Sequence, residues 1–331
     1  MKAQNCSFIG VVFASLGAGI GAVNCLALSS HFPKSTVAMW SSGSGAAGII
    51  SSFSYAALTE PHFANLSPKT TLLVMLIIPI LYASTYWFIM KVPDTVHQID
   101  ILNPKTYLIK SKNSNASSAD PIIPILASDA VNPFEDYEIQ DLTNRVQQKN
   151  LTVKDKIQLF WPLKKYMVPL FLVYIGEYLI NQGLTELIYF DCSHGFDLSK
   201  HSQYRWFQVI YQLGAFLSRS SVQFFTLPQF VLFLLPILQI GNTIFLAFDA
   251  IYFFVPHIAI IFSIILFEGT FGGAAYGNTF HRIHNEVAPD IREFSMSATT
   301  LADSGGIVIA ALSAIPLHNF ICNQQNIRIK P

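Results

Sequence analysis

The sequence predicts an all-α polytopic membrane protein, and three observations carry that prediction. Of its 331 residues 52% are hydrophobic and only 12% are charged, about half the charge of a soluble domain. The 20 basic residues balance the 20 acidic ones, and ten of the former and nine of the latter crowd between Lys91 and Lys165. The other 256 residues share 21 charges and contain eight apolar runs of roughly the 20 residues that a helix needs to cross a bilayer. This balance excludes a nucleic-acid binder, which needs a basic face, and a disordered chain, which lacks the apolar residues to bury. An ordinary globular enzyme is excluded by the charge distribution.

In chain order the runs are Ser7 to Ser30, Val37 to Leu58, Thr70 to Met90, Tyr166 to Tyr189, Gln203 to Phe225, Pro228 to Phe248, Ile251 to His281 and Phe294 to Pro316. They are too long, and alternate too little, for barrel strands; helices satisfy their own backbone in lipid and are the expected solution. The first run is glycine-rich and long enough to stay in the membrane as an anchor. The seventh is long for one span and is either tilted or broken near Pro256.

The chain thus divides into residues 1–90 with three spans, a loop over 91–165, residues 166–320 with five spans, and a tail over 321–331. Lys154, Lys156, Lys164 and Lys165 beside a span place the loop in the cytosol by the positive-inside rule. Ser111 to Asp120 holds little to bury and reads as disordered. Val153, Ile157, Phe160 and Trp161 recur at helical spacing, which predicts a helix in the membrane interface before the chain turns inward at Lys164. Asn132-Pro133-Phe134, followed by Glu135, Asp136 and Glu138, matches the short turn that presents a Phe to endocytic adaptors, although such a tripeptide is common by chance. Asn5, Asn65, Asn115 and Asn150 all begin Asn-x-Ser/Thr, and a cytosolic loop makes Asn65 the candidate for glycosylation. Cys6, Cys25, Cys192 and Cys322 are scattered without disulfide or zinc spacing.

Ionisable groups inside a span are costly and mark function by default. Glu177 and Asn181, four apart, share one helix face. Gln208, Tyr211 and Gln212 extend a stripe begun by Tyr204 and Arg205, and Arg205 either snorkels to the headgroups or favours an anion. Glu268 shares a strip with Gly269, Gly273 and Gly277, whose spacing lets another helix approach closely. Asp303 precedes Gly305 and Gly306. Each of Glu177, Glu268 and Asp303 serves either transport chemistry or a helix-to-helix hydrogen bond. His281 and His284 lack a third ligand, so no metal and no cofactor is expected, and no motif of a hydrolase, intramembrane protease or phosphate loop occurs.

Offset by 254 residues, Phe13, Gly19 and Asn24 fall on Phe267, Gly273 and Asn278, a weak echo of the six-helix repeat of facilitator-type transporters. Several motifs then carry a resemblance over nearly all of the chain except the loop. They are the Trp40-Ser41-Ser42-Gly43 setting with Gly45 and Gly48, Glu177 to Gly183, Gln203 to Trp206, Ser218 to Ser221, Glu268 to His281, and Arg292-Glu293-Phe294. Together they resemble the battenin family, lysosomal membrane proteins of juvenile neuronal ceroid lipofuscinosis. The resemblance implies a facilitator-like bundle in late endosomal and lysosomal membranes that exports small solutes of the glycerophosphodiester class. It also implies about three spans ahead of Ser7, so that the chain reads as a form lacking the first few transmembrane helices. Ala22 stands where the family has an acidic residue, and Asn323 to Pro331 continue where it ends in a prenylation-type tetrapeptide after Cys322. Two functions follow: a transporter in which Arg205 and His281 favour the anion while Glu177 or Glu268 takes protons, or a non-transporting scaffold or pH-homeostasis regulator acting through partners of the loop.

Overall fold

A computed structural model describes residues 2–91, 96, 103–104 and 151–329, with side chains described between residues 9 and 325. The helices are α1 (Lys2–Ser29), α2 (Lys34–Thr59), α3 (Pro68–Met75), α4 (Ile77–Ser84), α5 (Val153–Leu179), α6 (Lys200–Ser221), α7 (Gln229–Tyr252), α8 (Ile258–Glu286) and α9 (Arg292–Ile329). A π-helical turn, Thr85–Ile89, ends α4, and a second, Ile180–Leu184, ends α5. No strand occurs among the described residues. The protein is an all-helical polytopic membrane protein.

Among the described residues six helical stretches are long and apolar enough to cross a membrane: Ile9–Ser29, Pro68–Ile89, Val153–Leu184, Gln229–Tyr252, Ile258–Glu286 and Pro289–Gln325. Two of the eight expected spans, α2 and α6, are full helices of 26 and 22 residues that fall outside this set. The reason is their side chains: α2 carries Ser41, Ser42, Ser44, Ser51 and Ser52, and α6 carries Gln203, Arg205, Gln208, Gln212 and Arg219.

The expected interfacial helix is corrected. The chain does not turn at Lys164; Val153 to Leu179 is one α-helix. Its start is capped by Asp155, whose Oδ2 accepts from the Thr152 backbone N at 3.0 Å and from its hydroxyl at 2.7 Å. The Lys164 and Lys165 ammonium groups lie 3.6 and 4.6 Å from the Trp161 and Tyr166 ring centroids. The aromatic faces therefore hold the charges along the helix, which continues past them. The seventh run is broken: α7 extends to Tyr252 and α8 begins at Ile258. Phe253 closes α7 in the left-handed region at φ 51, Asp249 Oδ1 accepts from Val255 N at 2.9 Å, and Pro256 has no N–H with which to continue. At the far end α9 runs through Pro316, where the last span was expected to stop, to Ile329.

The chain divides into two units. The first comprises Met1–Val37, Lys91–Lys164 and Phe280–Thr300. In it Ser29 Oγ reaches Met296 Sδ at 3.9 Å, His31 Nε2 meets Glu293 Oε2 at 3.2 Å, and the His284 ring donates to Phe32 O at 3.1 Å. Phe160 packs edge-on against Phe294 at 6.2 Å.

The second unit comprises Ala38–Met90, Lys165–Thr279 and Leu301–Pro331. Its apolar core gathers Ile180, Leu184, Phe207, Leu246, Ile258, Ile261, Ile265 and Ile321, all fully buried. There α6 and α8 meet backbone to backbone. A Cβ at Gly269 would lie 3.1 Å from Ala215 N, one at Gly273 would lie 2.6 Å from Ala215 O, and one at Gly214 would lie 3.0 Å from Thr270 N. Only hydrogen fits at these positions, and that approach supplies the dispersion contact which replaces the hydrophobic effect in lipid. The tip between α2 and α3 places Asn65 exposed, with φ 50 and its N–H on Glu60 O at 3.1 Å.

Two outcomes are expected. Gly273→Ala should lower the melting temperature and yield of detergent-solubilised protein, since overpacking against backbone costs about 1–3 kcal/mol. Gly305→Ala, whose Cβ would meet Phe171 at an ordinary 3.4 Å, should leave stability unchanged or raise it by up to about 1 kcal/mol through helix propensity. Equal melting curves for the two variants would place the α6–α8 contact elsewhere.

Candidate functional site

The second unit holds a polar network built on the two polar helices and their neighbours. Glu177 on α5 is 1% exposed and Glu268 on α8 is fully buried. The Tyr211 hydroxyl of α6 donates to Glu177 Oε1. Asn181 Nδ2 donates to Glu268 Oε1 at 2.7 Å and to Glu177 O at 3.1 Å. Gln208 Nε2 in turn donates to Asn181 Oδ1 at 3.3 Å. Glu177 thereby has one donor and its Oε2 is enclosed without a partner, while Glu268 has Asn181 within hydrogen-bond distance and the Gln239 amide beside it. Gln239 of α7, fully buried, stands beside Glu268 and against Gly176, where a Cβ would lie 2.9 Å from its Cγ.

Local backbone aims these groups. Asn181 sits in the π-helical turn Ile180–Leu184, where Thr185 N bonds Ile180 O at 3.0 Å. The widened turn frees Asn181 O for the Thr185 hydroxyl at 3.0 Å, and such turns recur at functional positions. Gly272 makes room for the Glu177 carboxylate, which any side chain there would strike.

Arg205 is not a free cation. Its Nη2 lies 3.1 Å from Glu60 Oε2 and 2.9 Å from Ser202 Oγ, and Ser202 Oγ donates to Glu60 Oε1 at 3.2 Å. The ion pair neutralises the charge that the sequence offered to an anion. Glu60 follows a span directly and precedes Pro61, so in one dimension it reads as a loop charge.

Arg219, near the end of the expected span Gln203 to Phe225, lies in the last turn of α6 with Nη1 3.0 Å from Ser44 Oγ and its guanidinium carbon 4.5 Å from the Tyr276 ring centroid. Tyr174, Tyr211, Tyr276, Glu177 and Asp303 all lie within its electrostatic reach. Its serine-rich flank, Ser218 with Ser220 and Ser221, beside that of Ser41, Ser42 and Ser44, was the signal available in sequence.

The other expected residues are placed as follows. Gln212 sits against Gly48, where a side chain would strike its amide. Asn278 is fully engaged, donating to Ala274 O at 2.9 Å and accepting from Leu227 N at 2.7 Å, which ties the α6–α7 loop to α8. Asp303 accepts from the backbone and hydroxyl of its neighbour Ser304 at 2.7 and 3.4 Å. His281, in the first unit, bonds Asn285 at 2.9 Å, and His284 bonds Phe32 instead of sharing a site with it. Asn132, Pro133 and Phe134 lie outside the described residues, as does Ser111 to Asp120. Between α5 and α6, outside the spans, the His194 ring and Ser193 hydroxyl hold the Asp191 carboxyl below the usual carboxylate range.

A family model described as CLN3 protein matches residues 1–324. The chain belongs to the CLN3 protein family. It is 38% identical over 317 residues to battenin of Canis lupus familiaris, covering 96% of this chain and 65% of that protein. It is 33% identical over 336 residues to protein btn-1 of Neurospora crassa, covering 96% and 69%. A third relative, protein BTN1 of Eremothecium gossypii, is 31% identical over 322 residues, covering 96% and 75%. The chain thus spans about two thirds of the dog protein's length. No solved structure matches the chain. As a CLN3-family protein it is a multi-pass membrane protein of a family known by no enzyme name.

The Glu60–Arg205 contact yields an asymmetric prediction. The Glu60 side chain is 4% exposed and that of Arg205 is 21% exposed. Arg205→Gln strands a buried carboxylate and should lower thermal stability more than Glu60→Gln, whose stranded cation can shift towards water. The double variant should recover part of the loss, with a coupling of about 0.5–3 kcal/mol. Additive effects would mean that the two groups do not interact.

Proposed function

We propose that this CLN3-family protein is a facilitator-type transporter of lysosomal and late endosomal membranes. In this reading it exports small solutes of the glycerophosphodiester class from the lumen. The observation that carries the reading is the pair of buried carboxylates, Glu177 and Glu268, held by neutral donors alone, with Glu177 Oε2 and Glu268 Oε2 enclosed and outside hydrogen-bond distance of any partner. A bond that only joined helices would satisfy both partners, because an unsatisfied buried polar group costs energy that lipid cannot return. An oxygen left open beside Tyr211, Asn181 and Gln208 suits a proton, or a hydroxyl of a bound solute, that comes and goes. The family membership supports the reading through the name battenin and through its span-rich chain.

A second reading draws on the concentration of charge between Lys91 and Lys165. In it the protein acts as a scaffold or a regulator of trafficking and luminal pH, through cytosolic partners that include an endocytic adaptor at Asn132-Pro133-Phe134.

Efflux of labelled glycerophosphocholine from acidified and from neutralised lysosomes separates the readings. Glu177→Gln preserves shape and removes the titratable proton. Efflux through the unsubstituted chain should depend on luminal pH, and the ratio between the two conditions should fall to near unity in Glu177→Gln at equal protein abundance. Were Glu177 only a helix-to-helix bond, worth about 1 kcal/mol, the ratio would be unchanged. Absence of efflux from the unsubstituted, abundant protein would favour the scaffold.

Orientation is tested separately. Treatment with glycosidase should shift the protein's mobility, and Asn65→Gln should abolish the shift. A shift that survives Asn65→Gln and disappears with Asn115→Gln would put the long loop in the lumen.

A further inference from the structure

We infer that Arg219 is the anion seat of the transport site, and that its single charge selects a monoanionic phosphodiester over a dianionic phosphomonoester. The inference rests on the transport reading above and names the group that recognises the solute.

Apart from Arg328 near the end of α9, the second unit holds two arginines, and they differ in kind. Arg205 is neutralised by Glu60. Arg219 has no carboxylate within ion-pair distance among the described residues; it is held by one neutral hydroxyl, Ser44 Oγ at 3.0 Å, and by the face of Tyr276 at 4.5 Å. Its Nε, like that of Arg205, is enclosed without a partner. This half-buried guanidinium has a hydroxyl and a ring as its neighbours, so its donor fork is left for an anion. The planar fork matches two oxygens of a phosphate.

The surroundings are built around that cation. Gly45 leaves space along its stem, where a Cβ would lie 3.4 Å from Arg219 Cδ, and a Cβ at Gly277 would lie 3.7 Å from Arg219 Cα. Ser44 donates its own proton to Ser41 O at 2.9 Å, so its oxygen is turned to the guanidinium. One turn earlier Ser41, 1% exposed, has a hydroxyl with no partner and thus a donor to offer. Trp40 Nε1 fixes Tyr276 through its hydroxyl at 3.2 Å, keeping the ring beneath the guanidinium.

Charge matching sets the selectivity. Arg219 supplies one positive charge, with Glu177 and Asp303 as the acidic groups within its reach. A phosphodiester carries one negative charge and is compensated. A monoester near neutral pH carries close to two, and its second charge would face those carboxylates with no cation to meet it.

The test uses the full chain in detergent and in liposomes at neutral pH. Glycerophosphocholine should bind and be transported, glycerol 3-phosphate should compete at least roughly tenfold more weakly, Arg219→Gln should weaken glycerophosphocholine at least roughly tenfold, and Arg219→Lys should fall between. Equal affinity in Arg219→Gln, or equal competition by monoester and diester, overturns the inference while leaving transport standing. Because Arg219→Gln could misfold, a second measurement uses the unsubstituted protein. Phenylglyoxal modification of Arg219, followed by mass spectrometry, should be slowed by dimethyl phosphate and by glycerophosphocholine. An unslowed rate overturns the seat. Slowing by dimethyl phosphate in a protein that neither binds nor transports glycerophosphocholine would keep the anion seat and overturn the proposed transport.

Discussion

The backbone contact between α6 and α8 is the constraint on which the rest of the second unit depends. Gly214, Gly269 and Gly273 let two helices touch without side chains between them, and in lipid such contact does what apolar burial does in water. Against this pair α5 sets its own polar groups: Tyr211 of α6 meets Glu177, Gln208 meets Asn181 in the turn that ends α5, and Gly272 of α8 leaves room for the Glu177 carboxylate. A wider separation would leave α6 with its glutamines facing hydrocarbon. The polar helices are tolerable in a membrane because the glycines of α8 give them a surface to lean on.

A second principle governs charge. The interior treats its ionisable groups in three ways: Arg205 and Glu60 neutralise each other, Glu177 and Glu268 take neutral donors alone, and Arg219 is balanced by a hydroxyl and an aromatic face. The first arrangement pairs opposite charges; the other two place a charged group against neutral partners, which is the costlier arrangement inside a membrane.

Much of this was legible in one dimension. Apolar length located every long helix, including α2 and α6, whose serines and glutamines dilute the apolar signal without erasing it. Glu177, Asn181 and Glu268 stand out because a carboxylate in an apolar run is rare, and the spacing of Gly269, Gly273 and Gly277 announces a close approach. What was not legible depends on partners far apart in sequence. Arg219 and Glu60 lie at the ends of apolar runs, where a window along the chain sees a loop charge; only the fold brings Ser44 and Tyr276 to one and Arg205 to the other. Lys164 and Lys165 read as a boundary because their cost was counted without the rings of Trp161 and Tyr166.

The π-helical turn at Ile180–Leu184 has a consequence for how this helix tolerates change in length. Such a turn holds one residue more than an α-helical turn would, an insertion absorbed in place. Loss of a single residue there would restore ordinary winding, and everything beyond it would swing about the axis by roughly 100°. Leu184, fully buried, would leave the core, and Asn181 would regain a helical partner for the carbonyl it now offers to Thr185. Insertions and deletions in membrane helices are usually judged by where loops can take them up. Here the adjustable joint lies within the span, one helical turn from a buried acid, so that the length of this helix and the aim of its polar groups are a single variable.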